Sequence, residues 1–216
     1  MNIAIIDYGL CNMRSVYNAL SALGIQACVS SDAAVLQQAD AAILPGVGAF
    51  EDGMKGLKQK GLVGPIQEFV KTGRPFLGIC LGAQMLLSRS HEFGEHPGLN
   101  LIPGEVSALK TVLPAHMRIP HIGWSGLLLA GRAWEGTILQ GIPPGQEMYF
   151  VHSFYLNPAD AAHALARAQY GTQHFCAVVA KGNVYGCQFH PEKSSAMGLR
   201  ILGNFIELAK GSACRT

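Results

Sequence analysis

The sequence predicts a single α/β domain over residues 1–216, an open and mostly parallel sheet flanked by helices, with antiparallel ribbon in its second half. Three observations predict it. Short β-branched or apolar runs alternate with helical patterns through the first half, as βαβ units require. The runs 41–44 (AAIL) and 75–79 (PFLGI) are apolar throughout, as strands covered on both faces should be. Beyond about residue 100 the runs become short and are separated by Gly, Pro and Asn, the habit of antiparallel ribbon. Hydrophobic residues make up 49% of the chain and charged residues 14%, a balance that buries a substantial core and excludes intrinsic disorder.

Residues 2–7 (NIAIID) read as the first strand. Asn12 can cap a helix in which Met13, Val16, Leu20 and Leu23 recur at helical spacing, and Gly24 is placed to end it. A second strand is expected near 26–30, a short helix over 32–38 and a third strand over 41–44, followed at once by Pro45-Gly46-Val47-Gly48. Helical stretches at 50–59 and 65–71 lead to the strand 75–79, and a helix over 81–90 follows. Runs at 104–109, 147–155, 175–180 and 183–189 read as ribbon, the last two joined by the turn Lys181-Gly182-Asn183. A helix over 196–209 closes the chain, with a loose tail expected after about 210.

No window approaches the ~18 apolar residues of a membrane span, and the start MNIAIIDYGL has no basic segment before its apolar run. A cytoplasmic protein with no membrane role is expected. The 16 Lys and Arg are scattered singly and the net charge is +2, so no footprint for nucleic acid stands out. The six cysteines (Cys11, Cys28, Cys80, Cys176, Cys187, Cys214) show no CxxC pair. Without a secretion signal they read as reduced thiols, most of them small buried hydrophobes, with neither a zinc site nor a disulfide framework.

An open α/β sheet binds its ligand beyond the carboxyl ends of its strands, here at Asp7, Leu44 and Ile79. Gly78-Ile79-Cys80-Leu81-Gly82 has the form GxCxG between a strand and a helix, the nucleophile-elbow pattern with sulfur in place of oxygen. Such a turn lifts Cys80 clear of the sheet and sets it at the positive end of the next helix, where a thiolate is favoured. Of eight histidines, only His190 ends a predicted strand with a carboxylate beside it, in His190-Pro191-Glu192. Proline fixes the local backbone, so Glu192 can return to orient the imidazole. Acyl transfer also needs an oxyanion hole, for which the Leu81 N–H and the amides of Val47 or Gly48 are the candidates. A dinucleotide fingerprint at Gly46-x-Gly48 is the rival reading, but Glu51 stands where its third glycine belongs and would repel a pyrophosphate. His91-Glu92-Phe93-Gly94-Glu95-His96 has its second histidine one place late for a zinc motif and reads as a polar loop. Cys11, ahead of a helix N-terminus, has no histidine or carboxylate at a useful spacing.

GICLGAQ, HPE and PGVG together resemble the class I, or triad, glutamine amidotransferases, whose fold is flavodoxin-like. DYG, LPGVGAF, GICLGAQ, PHIGW, YFVHSF and HPEKS in this order are most similar to the glutaminase subunits of imidazole glycerol phosphate synthases in histidine biosynthesis. The resemblance covers nearly the whole chain. It implies hydrolysis of L-glutamine through a thioester on Cys80, with His190 as general acid and base and Glu192 orienting it, and no metal or organic cofactor. It implies contacts from Gly46, Gln84, Ser153 and Phe154 to glutamine. Asn12, Trp124, Tyr149 and Lys193 match positions facing a cyclase partner, a (β/α)₈ barrel that forms a heterodimer with the subunit and receives its ammonia. Two residues depart from the pattern, Cys11 where glycine is more frequent and Ser125 where asparagine is, both in segments implied to lie near the partner. Feeding of another synthase, such as one of surface-sugar assembly, stays open at this point. So do a stand-alone cysteine hydrolase and a non-catalytic nucleotide-binding or structural module.

Overall fold

The computed structural model describes residues 1–10 and 12–213. Its elements run β1 (Ile3–Ile6), α1 (Met13–Ala22), β2 (Ala27–Ser30), α2 (Ala33–Gln38), β3 (Ala41–Gly46), α3 (Phe50–Gln59), α4 (Val63–Lys71), β4 (Phe76–Cys80) and α5 (Leu81–Met85). There follow β5 (Arg89–Ser90), β6 (His96–Pro97), β7 (Gly104–Ala108), β8 (His121–Leu129), β9 (Glu147–His152), β10 (Phe154–Pro158), β11 (Ala164–Tyr170), β12 (Gln173–Lys181), β13 (Val184–Cys187) and α6 (Ser195–Ala213).

The sheet runs in the order β2-β1-β3-β4-β13-β12-β10-β7-β5-β6. Its first five strands are mutually parallel, and β12, β10 and β7 continue it antiparallel. β11 joins β12 to β8, and β8 carries β9 as a lateral ribbon. Successive strand side chains alternate between two cores. Ile3, Ile5, Ile43, Leu77 and Ile79 pack with α1 and α6, whereas Ala4, Ile6, Leu44 and Phe76 pack with α2 to α5.

The structure departs from the sequence reading at several points. Asn12 is the N-cap of α1 but caps no amide; its Oδ1 accepts from the Ser15 hydroxyl at 3.1 Å. The helix expected over 81–90 stops at Met85, because the backbone N–H groups of Leu99, Asn100, Leu101 and Ile102 take the carbonyls of residues 85–87. The run 147–155 is two strands broken at Ser153, whose carbonyl accepts from Leu109 N–H at 2.9 Å. β5, β6, β8 and β11 were not expected as strands. α6 runs a turn past residue 209, and the loose-tail expectation beyond 213, with Cys11 and Cys214, lies outside the described residues.

Candidate active site

The elbow takes its shape from its two glycines. A side chain on Gly78 would collide with the backbone of Gly82 and Ala83, and one on Gly82 with the Leu44 carbonyl. α5 can therefore fold back over β4 only where those carbons are missing. The turn leaves Cys80 at φ 54° and ψ −110°, backbone geometry that a side-chain-bearing residue adopts only when its surroundings force it. Leu81 opens α5, so its N–H is among those a helix leaves without an internal acceptor.

β13 lies beside β4 with Cys187 opposite Ile79, and this pairing brings the chain after β13 back to the elbow. His190 N–H donates to the Tyr149 carbonyl at 3.0 Å, and the Ser194 hydroxyl donates to the His190 carbonyl while accepting from Tyr149 N–H. A short turn at Pro191–Lys193 curls Glu192 back, so that its Oε1 meets His190 Nδ1 at 2.8 Å. The two side chains are 3% and 1% exposed. Burial alone would pull the imidazole pKa down, but the neighbouring Cys80 sulfur and the Glu192 carboxylate outweigh it and raise it to about 9. Nε2 is buried and makes no hydrogen bond of its own, which leaves it for the reacting groups.

Cys80, Leu81, Gln84, His190, Val47, Gly48, Ser153 and Phe154 line one cleft of about 370 Å³, with Glu92, Pro120, Val151 and His152. Cys80 and His190, the oxyanion candidates and three of the four glutamine-binding candidates thus line it, while Glu192 lies buried against His190 outside the lining. Gly46 stands behind the cleft, opposite Cys80 in the β3–β4 register; any side chain there would strike the Tyr8 hydroxyl. Val47 N–H donates to the Leu10 carbonyl at 3.2 Å, so it is engaged away from the nucleophile, while Gly48 has a φ of +95°. Gln84 Nε2 donates to the Phe154 carbonyl (3.1 Å) and to Gln188 Oε1 (3.2 Å), leaving its own Oε1 as the free end.

Sequence reasoning missed two residues here. Gln188 is fully buried and its Nε2 approaches Cys80 Sγ at 4.0 Å, a contact hidden inside an apolar strand motif. Glu92, placed in a polar loop without a role, accepts Phe50 N–H at 2.7 Å at the start of α3 and presents a carboxylate to the cleft, burial raising its pKa. His91 instead pairs with Glu105, and His96 lies near Glu51. A larger groove, about 520 Å³, lies at Thr72, Arg74, Asn183 and Asn204. Among the described residues no cysteine, serine or histidine lines it, and its asparagines are tied to backbone carbonyls. Burial pushes the Cys176 thiol up to about 12 and the Cys187 thiol higher, so both are inert; Cys28 is exposed.

Of the interface candidates, Trp124 stands nearly half exposed against Tyr149 in an edge-on contact (5.9 Å), its cross-strand partner. Lys193 is exposed next to the triad and Asn12 lies half-buried at the start of α1. Ile122 (60% exposed) and Val47 (40%) add apolar surface.

An elbow cysteine backed by a histidine–glutamate pair at the ends of parallel strands defines a cysteine-dependent acyl-transfer fold of the amidotransferase class. Residues 4–208 match the model of the class-I glutamine amidotransferases, and the chain belongs to that family. Within it, the imidazole glycerol phosphate synthase subunit HisH 1 of Legionella pneumophila (strain Paris) is 46% identical over 215 residues, covering 96% of this chain and 99% of its own. The HisH subunit of Syntrophotalea carbinolica is 48% identical over 209 residues, 95% of this chain and 100% of its own. Among solved structures, PurLQS from Thermotoga maritima shares the fold, with a TM-score of 0.73 at 19% identity over 95% of this chain and 97% of that one.

Proposed function

We propose that this chain is the glutaminase subunit of an imidazole glycerol phosphate synthase. L-glutamine lies in the cleft with its amino-acid end at Ser153, Phe154 and Glu92, whose carboxylate supplies the countercharge for the α-ammonium. The Gln84 Oε1 accepts from the substrate. The Cys80 thiolate adds to the γ-carboxamide carbon, and the oxyanion takes the Leu81 N–H together with an amide of Val47 or Gly48. His190 gives its proton to the leaving nitrogen as the C–N bond breaks, and ammonia departs. The now neutral imidazole takes a proton from water, which adds to the thioester; collapse releases glutamate and returns the sulfur. Glu192 orients the ring and stabilises its charged form without taking the proton.

The observation that carries this reading is Cys80 and His190 lining one cleft, with the buried Glu192 bonded to His190 Nδ1, in a chain 46% identical to HisH 1 over 215 residues. Ammonia released beside Trp124, Tyr149 and Lys193 passes to a cytoplasmic cyclase partner of (β/α)₈ form, docked on the exposed face of Ile122, Trp124 and Val47 with Asn12. The Val47 amide held by Leu10 describes an idle site, which the docked and liganded partner releases by turning that peptide. The test is twofold. Trapping with a glutamine-analogue electrophile should modify Cys80 alone, and purification from the native cells should bring the cyclase with the chain. Modification by unrelated esters and not by the analogue would make it a general hydrolase instead.

A further inference from the structure

Beside the cleft, three side chains that the reaction does not use form an unbroken line of hydrogen bonds. Ser125 Oγ lies 3.2 Å from His121 Nε2, His121 Nδ1 lies 3.1 Å from His152 Nε2, and His152 Nδ1 lies 2.8 Å from the Phe154 carbonyl oxygen. His121 and His152 face each other across β8 and β9, and all three residues are buried. His121 is stacked between the rings of Tyr170 and Phe150, at 4.1 and 5.3 Å.

The direction of every bond follows from the last one. A carbonyl oxygen only accepts, so His152 Nδ1 carries the proton. A neutral imidazole has a single N–H, which makes His152 Nε2 an acceptor. His121 Nδ1 must then donate, and His121 Nε2 accepts from the Ser125 hydroxyl. The reverse order would require a charged imidazole. Burial opposes that, holding His121 at about 4 and His152 at about 3, with the charges of His121 and His190 further opposing a proton on His152.

The far end of the line is a backbone oxygen that also accepts from Gln84 Nε2 on α5 at 3.1 Å. Both lone pairs of the Phe154 carbonyl are therefore used, one by the elbow helix and one by the histidine line. The adjacent Ser153 carbonyl is tied in turn to Leu109 N–H. We propose that Ser125, His121 and His152 are positioning residues for the substrate, a neutral one-way chain that clamps the Phe154 carbonyl and so preforms the Ser153–Phe154 turn for the amino-acid end of glutamine. This rests on the assignment of that turn to glutamine given above. The clamp reaches from the cleft to β8, the strand whose exposed side carries Ile122 and Trp124.

Two measurements on the full chain test it. With isotope-labelled histidine, long-range nitrogen–proton correlation spectra should show His121 and His152 as neutral Nδ1–H tautomers at pH 7, the form that free histidine disfavours. Nε2–H tautomers or charged rings would overturn the proposal. Inactivation of Cys80 is then followed with a chloroketone analogue of glutamine and with iodoacetamide, which has no amino-acid end. Ser125→Ala should raise the half-saturating concentration of the chloroketone by about three- to tenfold, the value of one neutral hydrogen bond, and Ser125→Thr should restore it. His121→Phe keeps the stacked ring and breaks the line nearer the turn, so its effect should exceed that of Ser125→Ala. The iodoacetamide rate should stay within about twofold in all three, because the sulfur itself is untouched. Wild-type saturation with unmoved values in both variants would overturn the clamp alone. A wild-type chain that does not saturate with the chloroketone would overturn the glutamine reading and the clamp with it.

Discussion

Exchanging Glu192 for glutamine separates the two things a carboxylate can do for an imidazole. The amide oxygen can still accept His190 Nδ1–H across the 2.8 Å now spanned by the carboxylate, so the ring orientation and tautomer survive while the charge is lost. With the side chains 3% and 1% exposed, water screens the pair little. A hydrogen bond to a charged group contributes about 1.5–3 kcal/mol against about 1 for a neutral one. The difference, about 0.5–2 kcal/mol, corresponds at its centre to roughly one pH unit in the titration of the ring. His190, raised to about 9 in the native protein, should therefore titrate about one pH unit lower in Glu192→Gln. A raised imidazole stays protonated, and able to protonate the leaving nitrogen, until the pH passes about 9; lowering it withdraws that proton earlier. The upper limb of glutamine hydrolysis by the complex should move down with it, and turnover at neutral pH should fall about 2- to 30-fold, the same energy expressed as rate. Proton NMR of the ring and the rate–pH profile give the two readings. If both stay at their wild-type positions, the Glu192 charge is not what holds the proton.

Cys80→Ser should lower glutamine-dependent turnover by several orders of magnitude and spare ammonia-dependent synthesis in the complex; near-native glutamine hydrolysis would unseat the nucleophile. With Val47 N–H engaged by Leu10, the isolated chain should hydrolyse glutamine at least about 10²-fold more slowly than the liganded complex, the cost of one oxyanion donor. Gly48→Pro forbids the observed φ of +95° and removes an amide, so it should depress the activated rate; an unchanged rate would show that this strand is not the switch. His121 and His152 are neutral when folded, with pKa values near 4 and 3 against 6.5 in the unfolded chain, so the unfolded chain binds the extra protons. Melting temperature should fall as pH drops from 6.5 toward 4, less steeply in His121→Phe, whereas His190 acts in the opposite sense as pH rises from 6.5 through about 9.

The parallel half of the fold and the elbow were legible because local chemistry and tertiary demand coincide there. Ile3, Ile5, Ile43 and Leu44 are apolar on both faces because both faces are covered, and Gly78 and Gly82 are glycine because backbone occupies the space a side chain needs. His190 became legible only as the partner of Cys80, since an isolated H-P-E says little. Strands β8 and β11 were illegible for the converse reason. ALARAQY in β11 is alanine-rich and favours helix by propensity, while HIGWSG in β8 is broken by glycine; pairing with β12 and β9 overrides both. Glu92 reaches the cleft from a loop whose path is set by backbone bonds between residues 98–102 and 85–88, which no local pattern announces.

β4 and β13 are sheet neighbours, yet Cys80 precedes His190 by 190 − 80 = 110 residues. During synthesis Cys80 therefore leaves the ribosome long before His190, and β4, which can pair with β3 at once, waits for its second parallel neighbour until nearly the whole chain is available. A nascent or truncated chain carries Cys80 with no base beside it and no cleft around it. Completion of the sheet by β13 and the arrival of His190 beside Cys80 therefore coincide, so an unfinished chain holds the sulfur without the site that would use it.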